Sequence, residues 1–91
     1  MKDFKKMAEL TLWQNENFRG KDVEAPTTGI PNIEDGARSL KLQSSKDWTV
    51  FEGAEYRGAN YNIGKTAECR EPADWGGKNA IHSARPIYMG Q

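Results

Sequence analysis

WQNENFRG at residues 13–20 and FEGAEYRG at residues 51–58 share one skeleton: an aromatic, four residues, a second aromatic, one residue, a glycine. Trp13 maps to Phe51, Phe18 to Tyr56 and Gly20 to Gly58, each 38 positions further on. Two aromatics five positions apart point to opposite faces of a straight strand. For both to pack, the chain between them must fold over, and the polar inserts QNEN and EGAE allow that. The glycine then supplies backbone angles that a Cβ makes costly. The repeated phrase encodes a folded hairpin with aromatics laid upon it, and its role is architectural.

Outward from the phrase, the text reads as strands. ELTLW alternates Leu10 and Leu12 with Glu9 and Thr11, the two-residue period of a half-buried strand. KDVEA places Val23 and Ala25 on one side, PTTGIPN is rich in breakers, and ARSLKLQ resumes alternation with Leu40 and Leu42. The second half replays this order: DWTVF starts a strand, and in ANYNI Tyr61 takes the place of Val23 and Ile63 that of Ala25. EPADW predicts one helical turn, with Pro72 at its first position and Gly76 as its stop. AIHSARPIY closes the pattern, and Pro86 predicts an edge or a strand end. The sum is about eight short strands in two sets of four, an all-β sandwich. The organisation read from the chain is an arm at 1–8, one domain at 9–88 with halves at about 9–44 and 46–88, and a tail at 89–91. The arm is expected to be flexible, with Phe4 and Met7 as candidates for tucking against the domain or a neighbour.

The chain has 91 residues, enough for one domain with a modest core. Three Trp, three Tyr and three Phe predict that this core is aromatic-rich. Thirteen basic and thirteen acidic residues balance, which is not the footprint of a nucleic-acid binder. Cys69 is the only cysteine, so no intrachain disulfide forms. MKDFKKMAEL lacks the apolar run of a signal peptide and no segment approaches a membrane span, so the expected setting is cytoplasmic, with no membrane partner.

On these residues the chain resembles the βγ-crystallins, whose Greek-key motif carries the aromatic-x4-aromatic-x-Gly signature twice per domain and a serine late in each motif. Here the signatures are Trp13–Phe18–Gly20 and Phe51–Tyr56–Gly58, with Ser39 and Ser83 in the serine positions. Trp48 and the run WGGKNAIHSARPI at 75–87 add to the likeness, which covers about residues 9–88 and is lens-type in its second half. The resemblance implies two intertwined four-stranded Greek keys in one sandwich. It also implies that each late serine hydroxyl ties the folded hairpin to the neighbouring motif, a structural role.

The resemblance further implies a calcium question. Many members bind calcium through a segment Asn/Asp-Asn/Asp-x-x-Ser/Thr-Ser, and calcium wants hard oxygen ligands. The corresponding segments are EDGARS at 34–39 and KNAIHS at 78–83. Their fifth positions hold Arg38 and His82 in place of a hydroxyl. Arginine has no acceptor and a fixed positive charge, and imidazole favours softer metals. Lys78 adds another positive charge. Lens-type members that have lost strong calcium binding show a similar basic residue at that position. Asp35, Asn79 and the backbone carbonyls of Gln14 and Glu52 remain as candidates for a weak site; no tight metal site and no other cofactor is expected.

The remaining chemistry reads as bland. His82 lies near Ser83 and Asp74 in sequence, but Ser83 sits where the fold needs it. HExxH, CxxC and a phosphate loop are missing from the text. Cys69 reads as a partly buried, inert thiol. The sequence therefore predicts no catalytic residues, no enzyme and no small-molecule substrate. The first reading is a non-enzymatic structural protein of the crystallin type, able to pair as a homodimer or with a second crystallin-like domain. The alternative is a calcium-binding module stabilised by its ion. An inhibitor or toxin module would call for a signal peptide and paired cysteines.

Overall fold

The strands follow from alternation and end where turn residues interrupt it. In a computed structural model that describes residues 9–87, they are β1 (Leu10–Asn15), β2 (Arg19–Ala25), β3 (Ser39–Leu42), β4 (Trp48–Phe51), β5 (Asn60–Ile63), β6 (Glu68–Cys69) and β7 (Ser83–Pro86). The expected arm at 1–8, with Phe4 and Met7, and the tail at 89–91 lie outside the described residues. Two antiparallel sheets form, one in the order β2-β1-β3-β6 and the other β5-β4-β7. Pro72–Trp75 makes the expected helical turn, of 3-10 type, stopped at Gly76 with φ 97°. β7 ends at Pro86, paired with Trp48.

The two halves are intertwined by exchange. β6 belongs to the second half but pairs with β3, Leu40 against Cys69 and Lys41 against Glu68. Ile30 belongs to the first half but bridges Ala84 of β7, through N–H···O bonds of 2.8 and 3.0 Å. Of the eight strands expected, seven form among the described residues, and the eighth shrinks to this single bridge. Pro31 follows Ile30 directly and has no N–H to extend a ladder.

The core is aliphatic, contrary to the aromatic-rich expectation. Leu10, Leu12, Leu40, Leu42, Val50 and Ile81 are buried between the sheets, with Trp48 and Trp75 as the aromatics of the cluster. The signature aromatics pack elsewhere because of strand parity. Leu10 and Leu12 point inward, so Trp13 points outward; Trp48 and Val50 point inward, so Phe51 points outward. Val23 and Ala25 share the inward side of β2, as read, but only Ala25 is buried there, and Val23 is 37% exposed. β2 is the edge of its sheet, and Val23 rims an open cleft there with Ile30 and Ile33.

Each signature folds back as its spacing requires. Asn17 and Phe18 both take φ 60°, and Glu55 and Tyr56 take 58° and 61°. These left-handed angles cost an L-residue roughly 1–2 kcal/mol each. Gly20 and Gly58 then share φ 84°. A Cβ on Gly20 would lie 2.7 Å from Asn15 Nδ2. The fold-back brings Trp13 and Phe18 edge to face at 5.1 Å, and Phe51 and Tyr56 at 5.6 Å.

A buried hydroxyl holds each corner. The Phe18 N–H donates to Ser39 Oγ at 2.9 Å, and that hydroxyl donates to the Asn15 carbonyl at 2.6 Å. In the second half the Tyr56 N–H donates to Ser83 Oγ at 2.9 Å, and Ser83 Oγ donates to the Gly53 carbonyl at 2.6 Å. Both serines are fully buried. Each therefore ties down the hairpin of its own motif, not of the neighbouring one. The reason is register: Ser39 lies opposite Trp13 and Ser83 opposite Phe51, so each hydroxyl faces the loop that leaves its partner strand.

Cys69 is buried at the inner end of β6. Burial, helped by the charge of Asp74, pushes its thiol up from 9.0 to about 11.

Two outcomes follow from this packing. Ser39→Ala and Ser83→Ala should each destabilise the domain by about 1–3 kcal/mol, since each strands a hairpin N–H and a carbonyl. Urea unfolding measures this, and a loss near zero for either would show that its corner holds without the hydroxyl. For Cys69, the two-unit rise lowers the thiolate fraction about 100-fold near pH 8, so DTNB should label the folded protein at least that much more slowly than the urea-unfolded chain. The linked stability is in full force below pH 9 and is lost as pH rises towards about 11, because the unfolded chain releases the proton first.

Candidate functional site

The two candidate segments meet at the junction of the motifs. Ala37 and Ile81 exchange backbone hydrogen bonds of 2.8 and 3.0 Å, so 34–39 and 78–83 run side by side. Their fifth residues hold matching places: Arg38 N–H donates to the Trp13 carbonyl and His82 N–H to the Phe51 carbonyl, both at 2.9 Å.

The side chains of those residues then reach the next carbonyl along. Arg38 Nη1 donates to the Gln14 carbonyl at 3.4 Å, and His82 Nδ1 lies 2.8 Å from the Glu52 carbonyl. A carbonyl only accepts, so Nδ1 carries the proton in this contact. Gln14 and Glu52 are the two carbonyls that would face an ion. In both halves a basic side chain donates to them.

The other candidates are placed unequally. Asp35 is exposed, with φ 67°. It lines one open cavity of about 260 Å³ together with Gln14, Asp22 and Glu34. Glu52 commits its carboxylate to the Tyr61 hydroxyl at 2.9 Å, a bond that pushes the phenol pKa up because the carboxylate favours the protonated partner. Asn79 is exposed on the bend before Ala80. The donor set does not fit a tight calcium site. Calcium needs free oxygens, whereas here two N–H donors occupy the carbonyls, and Arg38 and Lys78 add positive charge.

Among the described residues, no catalytic grouping forms around His82. Its Nδ1 serves the Glu52 carbonyl, and the Ser83 hydroxyl is spent on Tyr56 and Gly53. Asp74 accepts from the Arg70 backbone N–H at 2.8 Å.

Sequence reasoning read Arg38 and His82 as standing where a hydroxyl ligand would be, but missed them as donors to Gln14 and Glu52. It also missed the cations over the aromatic corners. Lys41 Nζ lies 4.5 Å from the Phe18 ring centroid, and the Arg85 guanidinium lies 4.7 Å from that of Tyr56. The signal was present: Lys41 and Arg85 each follow a signature serine by two residues, which puts them on the same strand face.

Comparison with known proteins agrees with this geometry. The Beta/Gamma crystallin family model matches residues 9–87. Beta-crystallin A3 of Bos taurus is 33% identical over 88 residues, covering 87% of this chain and 40% of the bovine protein. Beta-crystallin A3 of Gallus gallus is 33% identical over 81 residues, covering 85% of this chain and 36% of that protein. The chain thus spans about two-fifths of the length of these relatives. Among solved structures, a βγ-crystallin from an archaeon superposes with a TM-score of 0.74 at 29% identity, over 90% of this chain and 100% of that one. With the repeated corners, the exchanged strands and the buried serines all in place, the chain belongs to the βγ-crystallin family, which is non-enzymatic.

Proposed function

We propose that this domain is a structural crystallin-type module whose calcium sites are vestigial. One observation carries the reading: basic side chains from position five, Arg38 and His82, donate to the carbonyls of Gln14 and Glu52. An ion entering either place would have to displace a donor, and at Arg38 it would also meet a fixed positive charge. The module's work is then physical, resting on a sandwich whose buried serines and swapped strands keep it folded. It pairs with a second crystallin-like domain or with its own copy, in a cytoplasmic setting. The lengths of the beta-crystallin A3 relatives support the pairing, because this chain accounts for only 40% of the bovine protein and leaves room for another domain of its size.

A weak cation site in the first half is the second reading. It is favoured by the shared cavity of Gln14, Asp35, Asp22 and Glu34, and by the 3.4 Å Arg38 contact, longer than that of His82.

Thermal unfolding in excess EDTA and in a few millimolar calcium separates these readings. Vestigial sites give coincident melting curves. An ion held at a hundredfold above its dissociation constant would add about 2.7 kcal/mol, an upward shift of roughly ten degrees or more for a domain of this size. Such a shift would overturn the structural reading. A small shift that grows on Arg38→Ser but not on His82→Ser would establish the weak first-half site.

A further inference from the structure

The pseudo-symmetry of the two sheets supplies an internal control for their outer faces. In the first sheet a row runs Glu24–Thr11–Lys41–Glu68: Thr11 pairs with both Glu24 and Lys41, and Lys41 pairs with Glu68. In the second sheet the matching row is Asn62–Thr49–Arg85. The place of Glu68 falls to Gly29, one residue before the Ile30 bridge to Ala84. Both outer faces therefore carry a threonine and a cation over an aromatic corner. Only the first brackets its cation with carboxylates; in the second, those two positions are an amide and a glycine.

The second face also forms a pocket. A shallow cavity of about 660 Å³ is lined by Thr28, Thr49, Tyr56, Asn60, Asn62 and Arg85, with Ile87 and the largely buried Phe51 as its apolar part. Among the described residues, no acidic one lines it. Arg85 is exposed, lies 4.7 Å over the Tyr56 ring and 5.4 Å over Phe51, and has no hydrogen-bond acceptor among the described residues. Thr49 Oγ1 donates to Asn62 Oδ1 at 2.8 Å, which fixes the amide and leaves its NH2 group as a donor. A guanidinium held against a ring keeps a planar fork of donors, and the ligand matching that fork in shape and charge is a carboxylate. A phosphate dianion is served by several cations or a helix terminus, and one arginine is all this pocket offers.

We propose that this pocket is a binding site for small carboxylates with a flat apolar body: the carboxylate on Arg85 and the Asn62 amide, the body against Ile87. The site lies on the opposite side of its sheet from the core and uses none of the candidate calcium residues, so it stands or falls apart from the ion reading.

The test is a titration of nitrogen-15-labelled protein with benzoate, followed by amide chemical shifts, with benzamide and inorganic phosphate as controls. Benzoate should give saturable shifts at the side-chain amides of Asn60 and Asn62 and at the backbone of Thr49. Neutral benzamide should give none, and phosphate should bind more weakly. Arg85→Gln should weaken benzoate binding at least about tenfold. Asn62→Glu, which restores the acid of the first sheet and leaves the Arg85–Tyr56 contact untouched, should weaken it as much and decides the matter should Arg85→Gln unfold. The proposal is overturned by any of three results: shifts that do not saturate, phosphate binding as tightly as benzoate, or benzoate binding undiminished in Asn62→Glu.

Discussion

The structure depends on a bargain struck at two residues, Phe18 and Tyr56. Each takes a left-handed backbone angle that an aromatic residue does not favour, φ 60° and 61°, in order to turn its ring back over the strand it has just left. The strain is met by a serine hydroxyl that accepts the residue's own N–H and donates to a carbonyl three positions earlier in the loop, Asn15 in one case and Gly53 in the other. The edge-to-face aromatic pair contributes about 0.5–1.5 kcal/mol beyond its burial. The hydroxyl belongs to the strand paired with the first aromatic, so a local turn becomes a long-range contact, spanning 21 residues in the first half and 27 in the second. That contact fixes the register of β1 with β3 and of β4 with β7. With the register fixed, the aliphatic residues of those strands all fall on the inner face.

The exchange of Ile30 and β6 between the halves has a second effect. It makes either motif incomplete without the other, because each sheet ends on a piece of chain from the opposite half. The Ala37–Ile81 bridge joins them again at the candidate ion loops. A change in one motif is therefore felt in the other's sheet, and folding is expected to be cooperative across the whole domain.

How much of this was legible follows from what each signal encodes. Alternation in 10–12 and 40–42 reports burial directly, and Leu10, Leu12, Leu40 and Leu42 are buried as read. The aromatic spacing reports a fold-back because parity forbids any other joint packing, and the fold-back is present twice. Val23 shares the inward face with Ala25 as read, but alternation reports a face and says nothing about whether another layer covers it. It points inward at a sheet edge where the other sheet does not reach. The aromatic count was misread for a related reason: nine rings predict large buried areas, but Trp13 and Phe51 sit at outward-facing parity and build corners, not core. The serine's partner was misassigned because only register, not spacing, says which hairpin its hydroxyl faces. The candidate site was read halfway. Position five showed a basic residue and no hydroxyl, but the reach of Arg38 to Gln14 and of His82 to Glu52 depends on the loops' three-dimensional course.

Two copies of one motif in a single chain separate what the fold requires from what it permits. The aromatic pairs, the left-handed corner, the glycine at φ 84° and the serine hydroxyl recur with distances matching within about half an ångström. These are the parts on which register and core depend, and between the halves they vary only from one aromatic to another, Trp13 to Phe51 and Phe18 to Tyr56. The positions the fold leaves free have diverged. Arg38 corresponds to His82 at the ion loops, and Glu24 on one outer face corresponds to Asn62 on the other; at the place of Glu68 the fold itself holds Gly29, with φ 114° and a Cβ that would lie 2.9 Å from Arg85 Cβ. The Arg38–His82 and Glu24–Asn62 differences lie outside the corner and the core. Chemistry specific to this chain is therefore to be sought at the second set of positions, where two equivalent sites in the same molecule carry different charge on the same backbone.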